Sequence, residues 1–161
     1  MIYDLIELLA EKGQPNFFFD ALDTALAARV GHRLLTLLYT DGDEVARVYS
    51  NMPDVYPVSG RKPMGVTPWG DLVLRGQQPF LGRDYEAVKW AFFDHELIAS
   101  LGLGSAINIP VVYDGETIGT INLLHEEHFY EEKHVEIARK FAPLLIPAFL
   151  EARRISSASR A

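Results

Sequence analysis

The sequence predicts an α+β fold built on an antiparallel sheet. Apolar residues at helical spacing mark both ends of the chain, and two pairs of strand-like runs are joined by tight turns at Asp41-Gly42-Asp43 and Asp114-Gly115. Strands that pair through hairpins, with helices collected at the ends and over one face, indicate this class.

Ile2, Leu5, Ile6 and Leu9 fall on one helical stripe, and Gly13 and Pro15 stop it, giving a short leading helix. Asn16 is placed to cap a second helix with Phe19, Leu22, Leu26 and Val30 on one side and Gly31 at its end. Arg33 to Thr40 is a nearly continuous apolar run of strand length, and Val45 to Ser50 alternates beyond the turn. Prolines at 53, 57, 63 and 68 exclude a regular helix or a central strand from Asn51 to Pro68. A loop of that length in a compact domain is usually functional or mobile.

Thr67 and Pro68 supply an N-cap and a first-turn proline for a short helix running to Arg75 and closed by Gly76. Pro79 to Leu81 reads as a brief strand. Asp84 caps a helix from Tyr85 to about Leu101, with a break expected near Asp94. Ser105 to Tyr113 and Glu116 to Leu124 are β-rich, and the Asp-Gly pair between them is the strongest short hairpin signal. Glu131 to Arg154 carries Val135, Ala138, Phe141, Leu145, Phe149 and Ala152 on one side, so a long closing helix is expected. Pro143 and Pro147 inside it predict a kink or local 3₁₀ character.

The chain has 161 residues, 48% hydrophobic, with 15 Lys plus Arg against 22 Asp plus Glu and a net charge of -7. A chain of this size buries roughly 70% of its unfolded surface, enough for one core. Residues 1–154 are therefore read as a single domain, with 1–13 a leading helix suited to pairing two copies and 155–161 a flexible tail. The absence of cysteine excludes disulfides, iron–sulfur clusters, thiolate zinc sites, a thiol nucleophile and a thioether-linked chromophore. The acidic balance argues against nucleic acid, whose binding is driven by clustered Lys and Arg. The first residues hold Asp4, Glu7 and Glu11 and no basic region, so they do not read as a secretory signal. No apolar run reaches the roughly 18 residues of a membrane span. A cytoplasmic protein with no membrane partner is the expectation.

From Leu101 onward the chain resembles the C-terminal half of a GAF domain. Ser105, Pro110-Val111, Asp114-Gly115, Ile118-Gly119, the strand Thr120 to Leu124, Phe129 and the long closing helix carry the likeness. Upstream the element order agrees, so the resemblance covers roughly residues 16 to 152. It implies a GAF-like, PAS-related antiparallel sheet of five or six strands. The first and last helices would cover one face, and loops and middle helices would form a small-molecule pocket on the other. GAF domains are mostly sensors of small ligands, often dimerise through their terminal helices, and include some enzymes. The cysteine-dependent members, free methionine sulfoxide reductases and bilin-binding domains, find no thiol here. The Asn-Lys-Phe-Asp-Glu signature of cyclic-nucleotide binders is not legible, and haem ligation would fall to His95. Tyr130 departs from the pattern, standing where a Ser or Thr normally caps the closing helix.

Within that pocket the expected ligand-binding residues are Arg61, Lys62, Trp69, His95, Asn108 and Asn122. Arg61 and Lys62 are adjacent cations in an acidic protein, flanked by Gly60 and Gly65, and can clamp a carboxylate or phosphate over Trp69. The bland alternative is two solvated loop charges, with Trp69 in the core. Asp94-His95-Glu96 brings a histidine beside carboxylates, as a general base or a metal site would require, or simply solvates a helix surface. His125-Glu126-Glu127-His128 lacks the four-residue histidine spacing of the HExxH zinc motif and reads as a charged loop. Asn108 and Asn122 are polar positions in the two best strands. A two-residue turn pairs Asn108 with Ile121, and one bulged residue sets Asn108 opposite Asn122.

Three readings follow. The leading one is a stand-alone sensory or regulatory domain binding an anionic or polar metabolite, no cofactor being specified, with output left to a regulatory protein partner in trans. A GAF-fold enzyme would use Arg61, Asp94 and His95 on an organic acid, which requires His95 and Arg61 to face one cavity. A dimeric interaction module would leave the pocket filled.

Overall fold

The computed structural model describes residues 2–58 and 60–160. Helix α1 (Ile2–Leu8) and helix α2 (Asn16–Arg29) open the chain. Pro15, not Asn16, occupies the N-cap of α2, and no side chain caps it. Gly31 ends α2 at φ +94°, a left-handed conformation that favours glycine, and its N–H donates to the Leu26 carbonyl at 2.9 Å.

Strands β1 (Leu34–Asp41) and β2 (Glu44–Ser50) form the first hairpin. The long proline-bearing segment contains one element absent from the sequence reading, the edge strand β3 (Arg61–Pro63), which pairs with β2. Pro63 is tolerated because an edge strand leaves one row of N–H positions unused. Thr67 caps α3 (Pro68–Gly70), accepting from the Gly70 N–H at 2.9 Å, and the helix continues as a π-helical turn over Asp71–Arg75. After β4 (Phe80–Gly82), Asp84 caps α4 (Tyr85–Ala91) through the Ala87 N–H. Phe92 is extended, which breaks the helix where the sequence predicts, and α5 (His95–Ser100) follows.

Strands β5 (Ser105–Tyr113) and β6 (Glu116–His125) turn at Asp114 and Gly115, both at positive φ. Their register slips between Val111 and Val112, so Asn108 stands opposite Asn122. This is the bulged alternative. The closing segment is α6 (Glu132–Arg139), a 3₁₀ turn at Ala142–Leu145 around Pro143, and α7 (Ile146–Arg160) with Pro147 in its first turn. Helix α7 runs past the Arg154 end read from the sequence. Met1 and Ala161, the ends of the expected domain and tail, lie outside the described residues.

The six strands form one antiparallel sheet in the order β3-β2-β1-β6-β5-β4. Side chains of a strand alternate between faces. Leu35, Leu37, Ile107, Ile109, Ile121 and Leu123 point toward the terminal helices, where they pack with Phe18, Phe19, Leu22, Phe141 and Phe149 in the larger core. Gly119 is needed on this face, because a Cβ there would collide with the Leu38 carbonyl and the Phe149 ring. The opposite face packs a smaller core, Leu34, Ala106 and Leu124 against Tyr56, Val73, Val88 and Ile98. The second layer therefore covers that face through helices and the Asn51–Tyr56 segment. No helix among the described residues is long and apolar enough to cross a membrane.

Candidate functional site

Between the sheet and its smaller layer lies a cavity of about 230 Å³. Its floor is the face that does not meet the terminal helices: Thr36, Leu38 and Thr40 from β1, Val45 and Arg47 from β2, and Thr120, Asn122 and Leu124 from β6. Tyr56, Lys62, Trp69, Leu74, Phe92, Phe93, Asp94 and Ile98 form its walls and mouth.

A hydrogen-bond relay crosses the floor. The Trp69 indole N–H donates to Asn108 Oδ1 at 3.0 Å, Asn108 Nδ2 donates to Asn122 Oδ1 at 2.7 Å, and Asn122 Nδ2 donates to Thr36 Oγ1 at 3.2 Å and to the Thr36 carbonyl at 3.3 Å. Its direction is set at one end. Indole N–H donates only, so Asn108 must present oxygen to Trp69 and nitrogen to Asn122, which turns the second amide in the same sense. Asn108, Asn122 and Thr36 are all buried, and in low dielectric such a chain is mutually strengthening. The bulge creates it, since the unslipped register would turn Asn122 to the other face.

The cavity has three charged lining residues. Arg47 is half-buried, lies 5.2 Å above the Tyr56 ring centroid, and donates from Nη1 to the Pro57 carbonyl at 2.9 Å. Its Nε is buried without a partner, and so is Thr120 Oγ1. Burial holds the Arg47 guanidinium below the usual arginine range, against the opposing pull of Tyr56 and Asp94. Lys62 is exposed as a residue, but its ammonium sits 4.9 Å from the Phe93 ring centroid. Crowding by protein atoms pushes its pKa down, with Asp94 acting in the other direction and Arg47 in the same one. Asp94 accepts from the Tyr56 hydroxyl at 2.9 Å, and burial together with this carboxylate drives Tyr56 well above the ordinary tyrosine value.

Of the residues singled out from the sequence, Lys62, Trp69 and Asn122 line the cavity, and Asn108 sits beneath it holding Trp69 and Asn122 in place. Arg61 lies on the other side of β3. It pairs with Asp41 at 2.6 Å and Glu44 at 3.3 Å and donates to Tyr39 at 3.1 Å and to Ser156 of α7 at 3.0 Å. Alternation along β3 thus separates the two adjacent cations: Lys62 faces the cavity and Arg61 grips the closing helix. His95 is half-buried at the start of α5 and is not a lining residue. The pairing of Arg61 with His95 across one cavity, which the enzyme reading requires, is not assembled.

Arg47, Tyr56, Thr36 and Thr120 also line the cavity and are not among the residues the sequence singles out. Thr36 and Thr40 carried a signal, being polar positions of one parity within an apolar run. Arg47 carried none, because an arginine in an alternating strand ordinarily faces solvent.

The His125-Glu126-Glu127-His128 segment serves structure. The His125 ring stacks on Phe129 with centroids 3.6 Å apart, and Phe129 lies 5.3 Å from His134. Tyr130, the departure from the usual cap, is buried and donates to the Gly31 carbonyl at 2.8 Å, tying the start of the closing segment to the end of α2. The cap falls one residue later, where His134 Nδ1 accepts the Glu131 N–H at 2.9 Å.

Comparison with known proteins agrees with this architecture. A family model described as GAF domain matches residues 16–148. No curated protein matches the chain. Among solved structures, the GAF domain of a phosphoenolpyruvate-protein phosphotransferase from Coxiella burnetii is 17% identical, covering 96% of each chain, with a TM-score of 0.73. The GAF domain of a two-component sensor histidine kinase from Bacillus halodurans is 12% identical over 89% of this chain and 98% of that one, with a TM-score of 0.69. The A. aeolicus nlh2 GAF domain in an inactive state is 16% identical over 94% of both chains, with a TM-score of 0.69. At these identities the likeness is one of fold.

Proposed function

The chain belongs to the GAF domain family, whose members are in general sensory or regulatory small-molecule-binding modules, and on that premise we propose that it binds an anionic or polar metabolite in the cavity over the sheet. The observation that carries the reading is the pair of cations at the cavity, Arg47 and Lys62, together with the unpartnered, buried Arg47 Nε. A buried donor left unpaired costs free energy that a bound acceptor recovers. The cavity lies somewhat below the range of about 300–1,000 Å³ typical of drug-sized ligands, which favours a compact metabolite over a nucleotide. An open cavity also speaks against an interaction module whose pocket is filled by its own side chains.

Two further parts of the reading concern context. Tyr3 and Ile6 of α1, Phe17 of α2 and Ile155 of α7 are exposed apolar residues on the terminal helices, which supports dimerisation through that side. A cytoplasmic location, with a regulatory protein partner in trans receiving the signal, fits a ligand drawn from metabolism. The grip of Arg61 on Ser156, one residue from the cavity-lining Lys62, gives ligand binding a direct route to α7.

A thermal-shift screen of the purified protein against organic acids and phosphorylated metabolites tests the proposal, because a ligand that binds only the native state raises Tm by mass action. At least one anionic compound is expected to raise Tm, and Arg47→Met is expected to remove that rise. Absence of any shift across the screen, or an undiminished shift in Arg47→Met, counts against it.

A further inference from the structure

The cavity's charge and hydrogen-bond inventory narrows the ligand class. Its charged lining residues are Arg47, Lys62 and Asp94, leaving one net positive charge. Most of its side-chain acceptors are already engaged, the hydroxyl of Thr120, buried without a partner, being an exception. Asp94 takes the Tyr56 hydroxyl, Asn108 Oδ1 takes the Trp69 indole, and Asn122 Oδ1 takes the Asn108 amide. What remains is mainly donors. Arg47 Nε has no partner, Lys62 has its ammonium, and the Thr36 hydroxyl, whose oxygen accepts from Asn122, has no acceptor for its proton among the described residues.

A ligand that completes this set must bring acceptor oxygens and a single negative charge. A carboxylate does both at neutral pH. A phosphate monoester, at about -1.5 to -2, would leave uncompensated negative charge in a partly desolvated site. Apart from Lys62 and Asp94 the walls are apolar and aromatic. Tyr56, Trp69 and Phe92 face the space above Leu38, with Trp69 and Phe92 tilted at 49° and 6.1 Å apart. Such an enclosure favours a flat ring that can meet one aromatic face and another aromatic edge. A volume of about 230 Å³ suits one ring with a short acidic arm.

Resting on the reading that the cavity binds a small metabolite, we propose that its ligand class is the single-ring aromatic monocarboxylates, with the carboxylate held by Arg47 and Lys62 and the ring lying among Leu38, Trp69 and Phe92. Isothermal titration of the purified protein with four probes tests this: phenylacetate, phenyl phosphate, hexanoate and benzyl alcohol. Phenylacetate is expected to bind tightest. Phenyl phosphate should be weaker by about tenfold, and hexanoate by roughly threefold to tenfold, the usual worth of aromatic contacts beyond buried area. Lys62→Met, at an exposed position where folding is not at stake, should weaken phenylacetate about tenfold and leave benzyl alcohol unchanged.

Phenyl phosphate binding as tightly as phenylacetate overturns the charge argument, and hexanoate doing so overturns the ring argument. An unchanged phenylacetate affinity in Lys62→Met also overturns the proposal. If none of the four probes binds while another metabolite raises Tm, this inference fails and the small-molecule reading stands. If nothing raises Tm, both fail.

Discussion

Asn108 shows how one buried residue organises the site without lining it. Its oxygen fixes Trp69 and its nitrogen fixes Asn122, so the cavity wall and the cavity floor are positioned by one amide. Replacing it with Leu keeps the volume and removes both bonds, stranding a buried indole N–H and the Asn122 oxygen. Asn108→Leu is therefore expected to cost about 1–3 kcal/mol in urea unfolding and to shift the fluorescence of Trp69, read in a Trp90→Phe background. A loss below about 0.5 kcal/mol with unchanged emission would mean that the relay does not hold the wall. The polarity of Asn108 and Asn122 was legible in the sequence, but their mutual contact was not. That contact depends on a single bulged residue near Val112, and bulges leave little trace in a periodic strand pattern. Arg47 was illegible for another reason: its surroundings, Tyr56 and Pro57, come from an irregular segment whose path no periodicity defines.

At the scale of elements, the parts most legible in the sequence were those with local causes. Asp84 and Thr67 cap their helices by their own side chains, Asp114-Gly115 turns its hairpin, and Pro143 and Pro147 divide the closing helix where their missing N–H groups require. The edge strand β3 has a nonlocal cause, its pairing with β2, and its own proline-bearing sequence predicts a loop. The start of α6 depends on titratable groups. His134 Nδ1 accepts the Glu131 N–H and His125 Nδ1 accepts the Glu126 N–H, so each ring must keep that nitrogen unprotonated. Burial leads in pushing both histidines below the usual value of 6.5, with Arg33 adding to the effect at His125 and Lys133 at His134. In this situation the unfolded chain binds protons before the native one does. The stabilisation is fully present above pH 6.5 and is lost as pH falls through the lowered native values. Tm is thus expected to drop as pH is taken from 8 toward 5. In His134→Asn, which keeps an acceptor oxygen but does not titrate, the drop should be smaller. An equal drop in that variant would show that His134 does not contribute to it.

Across the whole molecule, the sheet divides two tasks between its faces. The face toward the terminal helices carries the larger apolar core, closed by the contact of Phe149 on Gly119. The other face keeps a smaller core beside the cavity, with Thr36, Thr120 and Asn122 on its floor. Arg61 and Lys62 bridge the two tasks, since adjacent residues of β3 reach the closing helix and the cavity. The family likeness predicted this division before any geometry, because the Ser105–Leu124 hairpin and the closing helix are its most sequence-specific parts. It does not specify the chemistry of the cavity, whose lining side chains come largely from β1, β2 and the irregular segment, where the resemblance is one of element order. The central claim is that a small anionic molecule occupies the cavity and is held there by Arg47. A crystal structure of the protein soaked with the organic acid that most raises its Tm tests this most directly. An acidic group within hydrogen-bonding distance of the Arg47 guanidinium, over Leu38 and Thr36, is the predicted result, and an acid bound elsewhere with the cavity closed by its own side chains would contradict it.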